Sequence, residues 1–346
     1  MDNIKNKVNE ILSGTDFTSR EDFKWGVNIH DAGYKAYPLK YLEDHLALAK
    51  RMGSRILRVG FSGYEITDKA VKLANAYDMD IMLCHYAGIR DSEENYDGDY
   101  WYNLYKDIVN HYNGKNGNGY IKYFNIDNEI DNYLLHESDV NYKRIVGNGS
   151  VPEQYEPYML RRTAERFKNV IRGVRDADSD VKIVLNFCWE HYGMLEYMFR
   201  NGVDWDITGY DWYADMSRAY MNCGKSAFQA ARVAYEKWRK DIIICETNAW
   251  SDERPDENDI GTWYYLFAIM KDAYQMDFVK GCIFYELIDE TDFENGKYER
   301  EAHFGLIKAD RDGNIGEPKI IYNTLKELFH GEDVEKLRLR QIENDI

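Results

Sequence analysis

A chain of 346 residues with 61 acidic and 44 basic side chains carries a formal net charge of −17. Such a balance repels polyanions, which excludes nucleic acid and anionic membrane surfaces as expected partners. Apolar residues make up 44% of the chain, enough for one large core, yet no run of eighteen of them occurs to cross a bilayer.

The first residues, Met-Asp-Asn-Ile-Lys-Asn-Lys-Val-Asn-Glu, lack the apolar centre of a secretion signal. That points to the cytoplasm, unless a leader has been removed. Cys84, Cys188, Cys245 and Cys282 fall in or beside apolar runs, which fits reduced core thiols better than a disulfide framework. There is no linker rich in proline or serine. The simplest division is one domain over residues 1–346, with a helical extension at 1–22 and a charged tail at 331–346.

Short apolar runs predict eight strands: Lys24–Asn28, Arg55–Val59, Asp80–His85, Ile121–Ile126, Val181–Phe187, Asp206–Tyr210, Asp241–Cys245 and Gly281–Tyr285. Segments of helical periodicity separate them: Leu39–Met52 after Pro38, Asp68–Tyr77 with Thr67 as its cap, Trp101–Tyr112, Glu153–Asp176, Met194–Asn201, Ser226–Arg239, Gly261–Gln275, and finally Lys319–Phe329. Eight alternations of strand and helix call for parallel strands with helical crossovers, closed into a (β/α)8 (TIM) barrel of class α/β. A doubly wound open sheet is the competitor, but no glycine fingerprint follows the first strand, and the Gly114–Gly119 run precedes a strand instead of opening a helix. Two long segments, Tyr86–Tyr100 and Asp127–Pro152, follow strands three and four, where barrel enzymes shape their clefts.

Two of the strand ends carry acid. Strand four runs into Asn128-Glu129, and the apolar run Ile242-Ile243-Ile244-Cys245 ends on Glu246. Either glutamate alone reads as an ordinary strand-end carboxylate. Strands four and seven face each other across the mouth of an eight-stranded barrel, so together they read as a pair about 5 Å apart, the spacing of a double-displacement glycosidase. Close negative neighbours drive the two pKa values apart, leaving one group protonated to assist the leaving oxygen and the other ionised to attack. The aromatic content of 15% suits a cleft that stacks on sugar rings.

Asn128-Glu129, Glu246 and Arg58 resemble clan A of the retaining glycoside hydrolases, which carries an Asn-Glu acid/base after strand four, a glutamate nucleophile after strand seven and an arginine near the end of strand two. The resemblance runs from strand one to the Phe304–Ile307 segment and Pro318. Within the clan, Gly202–Tyr213 is similar to the endo-galactanase family, and other stretches to cellulase- and xylosidase-type members. The resemblance implies a hydrolase acting on β-linked oligo- or polysaccharide with retention, Glu129 as acid/base and Glu246 as nucleophile. It implies that Asn128 bonds the sugar 2-hydroxyl, that Arg58 holds the nucleophile, and that Tyr210 (favoured on strand position) or Tyr213 bonds it from the other side. His30 and His85 read as sugar hydrogen-bonders or satisfied strand-end residues. Trp189, Tyr192, Trp212 and Trp250 are candidate stacking platforms or half-buried loop aromatics. Many clan members end strand eight with tryptophan; here Tyr285 or Phe284 stands in, and Glu286 binds a sugar hydroxyl or pairs with a basic neighbour.

His30, His85, His136, His191 and His303 stand singly, without the His-x-His of barrel metallohydrolases, so no metal and no cofactor is expected. The acidic run Asp289–Glu294 lacks calcium-loop spacing and reads as a solvated loop. The expected partner is a carbohydrate substrate. The alternatives are a transglycosylase using the same glutamates, with a sugar acceptor in place of water, and a non-catalytic carbohydrate-binding barrel.

Overall fold

The computed structural model describes residues 2–30, 33–86, 97–135, 147–249, 257–294, 296 and 299–329. Helix α1 (Asp2–Gly14) precedes the barrel. The strands are β1 (Lys24–Ile29), β2 (Ile56–Gly60), β3 (Asp80–His85), β4 (Tyr123–Ile126), β5 (Lys182–Cys188), β6 (Ile207–Asp211), β7 (Asp241–Thr247) and β8 (Val279–Phe284). They pair in parallel in chain order, and β8 returns to β1, closing the barrel. The intervening helices are α2 (Leu42–Met52), α3 (Tyr64–Ala76), α4 (Gly98–His111), α5 (Ile130–Leu134), α6 (Pro157–Ala177), α7 (Tyr192–Arg200), α8 (Ala214–Asn222), α9 (Gln229–Trp238) and α10 (Tyr264–Gln275). A small antiparallel pair, β9 (Ile307–Ala309) and β10 (Ile315–Pro318), leads into α11 (Ile320–Phe329). The predicted tail lies outside the described residues. Among those described, no helix is long and apolar enough to cross a membrane.

The expected α/β barrel is the observed one. Helix α3 starts earlier than its pattern suggests: Gly63 caps it, and Thr67 lies inside, its hydroxyl accepting the Ser62 N–H at 3.2 Å. Helix α5 and the β9–β10 pair were not legible, because each is too short for its periodicity to register, and α8, as long as α7, was also not read from the sequence.

Two apolar layers build the structure. Outward-facing strand residues pack beneath the helices, with Trp205, Phe124 and Phe167 fully buried. The lumen is filled by Ile56, Met82, Tyr123, Val184, Ile207, Ile243, Cys245 and Ile283. In β1 the equivalent position is Gly26, because Ile56 already occupies the space: a Cβ there would come 2.4 Å from both the side chain and the carbonyl of Ile56. Gly26→Ala is expected to cost about 3 kcal/mol by overpacking; unchanged urea unfolding of that variant would show that the layer can yield.

Alternation then sets what lies above this layer. Two residues beyond it, the inward positions of β1, β2, β4 and β5 become polar: Asn28, Arg58, Asn125 and Asn186, all buried. Strand β7 departs from the rule. Tyr210 pairs with Ile244 but Asp211 pairs with Glu246, so one residue of β7 is extra, and the pairing with β8 shifts at the same place. This is a β-bulge, which turns Glu246 inward where strict alternation would have sent it out toward the helices.

Candidate active site

Arg58 is the centre of the polar floor. It is buried, and its guanidinium uses every side. Nε donates to Asn125 Oδ1 at 3.0 Å, and Nη1 donates to Asn28 Oδ1 at 2.9 Å and to Glu246 Oε1 at 2.7 Å. Nη2 donates to Asn128 Oδ1 and contacts Cys84 Sγ at 3.8 Å. Asn28 in turn donates to the carbonyls of Cys245, at 2.9 Å, and Phe284, tying the floor to β7 and β8. A buried guanidinium is tolerated only with its donors satisfied, and here they are. The second oxygen of Glu246 accepts from the Tyr213 hydroxyl at 2.8 Å.

Glu129 is held differently. Its backbone adopts φ 44°, ψ 35°, and Asp127 two residues earlier also has a positive φ of 63°. Left-handed backbone costs a non-glycine residue on the order of 1–3 kcal/mol and persists where surroundings enforce it. The enforcement is visible: Asn186 Oδ1 accepts the Glu129 N–H at 2.7 Å, and Arg166 of α6 forms a buried ion pair with Asp127 at 2.6 Å. Asn132 donates to Glu129 Oε2 at 3.2 Å. Burial first, then the charges of Glu246 and Asp131, push the Glu129 carboxyl up to about 8.

One oxygen of Glu129 and one of Glu246 lie within 4.8 Å of each other, and a third carboxyl, Asp211, comes within the same distance of both. Asp211 is fully buried. Asn186 donates to its Oδ1 at 2.8 Å, while Oδ2 has no hydrogen-bond partner. Burial, then the charges of Glu246 and Glu129, hold the Asp211 carboxyl well above the usual carboxylate range. These groups open into a pocket of about 830 Å³ whose walls include His30, Tyr34, Tyr86, Cys188, Tyr285, Glu301 and Phe304. Its lining is both aromatic and acidic. Burial, with the charges of Glu246 and Glu290, raises Glu301 to about 7.

The structure brings Asn128, Glu129, Glu246, Arg58, Tyr213, His30 and Tyr285 to or directly beneath this pocket. Others fall elsewhere. Tyr210 points outward and donates to the Trp189 carbonyl at 2.7 Å; strand parity turns it away from Glu246, and Tyr213, in the loop beyond, reaches Glu246 instead. Trp212 is fully buried, donates to Ser217 Oγ at 2.7 Å and stacks on Trp189, so both rings pack on each other rather than on the pocket. Tyr192 is likewise buried against α9. His85 turns its Nδ1 to the Tyr105 hydroxyl at 2.8 Å. Phe284 stacks on Trp25 in the core, leaving Tyr285 as the pocket's strand-eight aromatic. Glu286 is fully buried, and among the described residues neither lysine nor arginine pairs with it; its neighbours are His30 and Tyr37. His191 bonds Asp131. Trp250 and His136 lie outside the described residues. The start of the acidic run is not solvated: Asp289 and Glu290 are buried, and Lys319 pairs with Asp289 at 2.7 Å.

Asp211, Asn186 and Glu301 were missed. For Asn186 a signal existed, a lone polar residue two positions past an inward apolar one. Glu301 follows the barrel strands in a loop that no pattern marks.

No protein-family model and no curated protein matches the sequence. Solved structures do match. A β-glucuronidase from Bacteroides uniformis is similar at 15% identity and a TM-score of 0.63, over 89% of this chain and 35% of that one. A family 1 β-glucosidase from Thermotoga maritima is similar at 12% identity and a TM-score of 0.63, over 92% of this chain and all of that one. The GH53 catalytic domain from Ignisphaera aggregans is similar at 15% identity and a TM-score of 0.54, over 89% and 96%. This chain spans about a third of the β-glucuronidase's length. At these identities the shared property is the fold, and the structures that share it are glycoside hydrolases on the closed parallel barrel of clan A.

Proposed function

We propose that this protein is a retaining glycoside hydrolase acting on β-linked sugars, with Glu246 as nucleophile and Glu129 as acid/base. The observation that carries the reading is the closeness of the two carboxyls, within 4.8 Å at their nearest ligand oxygens. That spacing suits the short carboxyl separation of double displacement better than the wider one of an inverting mechanism. The fold shared with glycosidases supports the same reading.

In the first step a Glu246 oxygen attacks the anomeric carbon as the bond to the leaving oxygen breaks, and the Glu129 proton passes to that oxygen. In the second, Glu129 takes a proton from water, the water oxygen bonds to the anomeric carbon, and the bond to Glu246 breaks. Arg58 and Tyr213 donate to the Glu246 carboxylate and orient it. Asn128, held by Arg58, faces the pocket where a 2-hydroxyl would lie. Tyr285 and Phe304 offer aromatic faces to the sugar.

Glu129 must be protonated to work as the acid. That form exists below its pKa and is lost above it, so kcat/KM is expected to fall as pH rises through about 8. Glu129→Gln removes this limb and loses far less activity on aryl glycosides with good leaving groups than on alkyl ones. A limb that survives the substitution assigns it to another group.

Tyr213→Phe is expected to lower kcat by about 10–100-fold, the worth of a hydrogen bond to a charged group. Tyr210→Phe is expected to leave kcat unchanged while lowering stability. Equal kcat losses in the two variants would contradict the assignment.

A further inference from the structure

At the wall of the pocket, His30 Nε2 lies 3.0 Å from Glu290 Oε1 and 3.3 Å from Glu286 Oε2. Glu286 and Glu290 are fully buried. Despite those distances, no hydrogen bond is aligned: among the described residues, His30 Nε2, Glu286 Oε1 and both oxygens of Glu290 are buried without a partner. Only Glu286 Oε2 has one, the Tyr37 hydroxyl at 2.9 Å. Buried carboxylate oxygens are ordinarily matched by donors or cations, so so many unmatched atoms converging on one point require an explanation.

Other clusters of potential ligands are better matched, each leaving at most one carboxylate oxygen, Asp211 Oδ2 or Asp131 Oδ1, without a partner among the described residues. Arg58 serves Glu246 beside Glu129 and Asp211. Lys319 lies against Glu257 and Asp289, near His303. Asp131 is hydrogen-bonded to His191 and to the Cys188 N–H. No lysine or arginine pairs with the His30 cluster among the described residues.

A proton on His30 Nε2 does not resolve it by geometry: a single ring N–H can point at only one oxygen, and it is aligned with neither.

The spacings have another reading. Bonds of about 2.1 Å to a metal put neighbouring ligand atoms about 3.0 Å apart in an octahedron and about 3.4 Å apart in a tetrahedron. The observed nitrogen–oxygen separations of 3.0 and 3.3 Å match ligand edges of that kind, and one ligand atom from each of the three residues lies within 4.8 Å of the others. The hydroxyl of Tyr37 would then be the outer hydrogen bond that orients a ligating carboxylate.

We propose that His30, Glu286 and Glu290 form a binding site for one first-row divalent cation, Mn2+ or Zn2+. One imidazole with two carboxylates suits these ions better than Ca2+, which prefers an all-oxygen shell. Because His30 lines the pocket, the remaining coordination positions open toward it and take water or a hydroxyl of the pocket's ligand. The sequence gives no hint of the site, since its carboxylates come from the segment after β8, at the opposite end of the chain from His30.

The test needs no turnover, so its failure is separate from failure of the glycosidase reading. Full-length protein is stripped with EDTA and titrated calorimetrically with MnCl2 and with ZnCl2, with CaCl2 as control. One of the two is expected to bind at one equivalent and to release protons, measured by comparing buffers of different ionisation enthalpy. Glu290→Gln is expected to weaken that binding by at least tenfold. In wild type, Mn2+ electron paramagnetic resonance is expected to show nitrogen coupling from a single imidazole. The proposal is overturned by the absence of saturable binding of either ion to the stripped wild type, or by equal binding to Glu290→Gln. Should that variant not fold, absence of nitrogen coupling in the Mn2+-loaded wild type overturns it.

Discussion

Glu246→Gln is expected to fold and to lose turnover of an aryl β-glycoside by about 10⁴–10⁶-fold, the range seen when a covalent nucleophile is removed. Glutamine keeps an acceptor for Arg58 but cannot form the glycosyl ester. The smaller Glu246→Ala opens space for a small anion. Azide entering there attacks from the nucleophile's side and should give a glycosyl azide of inverted configuration. In Glu129→Ala the nucleophile is intact, so azide intercepts the glycosyl-enzyme and should give the retained configuration. Nuclear magnetic resonance of the two products separates the roles. Identical configurations from both variants, or normal turnover by Glu246→Gln, would refute the assignment.

The second large effect belongs to Arg58. Arg58→Met leaves Glu246, Asn28, Asn125 and Asn128 without their shared donor in a buried floor. Breaking a buried pair from one side costs about 3–5 kcal/mol, so the variant should unfold at clearly lower urea concentration. Arg58→Lys keeps the charge but has fewer donors and no planar fork. It should stay folded, with kcat lowered by about 10²–10³-fold and KM changed much less, because the orientation of the attacking oxygen matters most in the transition state. A kcat equal to wild type in Arg58→Lys would make the arginine purely structural.

The strands, their order and the barrel were legible because a parallel strand buried on both faces leaves an unbroken apolar run. The two glutamates were legible because they end such runs. The sequence also suggested a partnership between Arg58 and the end of β7, and the two side chains meet at 2.7 Å. The remaining site was harder for definite reasons. Choosing between Tyr210 and Tyr213 requires knowing which β6 residues face the lumen: strand position favours Tyr210, but alternation from Ile207 turns it outward. Trp212 looked like a platform because its position follows a strand, but its ring nitrogen finds Ser217 in the interior. Glu286 and Glu290 acquire meaning only beside His30, from which more than 250 positions of sequence separate them. Asp211 is a polar residue at a strand end like many others, and its closeness to both glutamates depends on the bulge opposite it.

That bulge bears on how the protein can vary. With two consecutive side chains, Cys245 and Glu246, both belonging to the lumen, strand β7 separates its packing duty from its reactive one. The apolar layer can be repacked at Ile243 or Cys245 without altering which way the carboxylate points. A single-codon deletion between Ile242 and Cys245 would take up the extra residue: strict alternation then leaves residue 246 inward, opposite Asp211, and the change falls on the packing layer instead. In a deletion scan of this strand, variants that still fold should therefore lose stability while keeping residue 246 on the lumen side and measurable activity; folded variants inactive as a block would show that the bulge itself is needed.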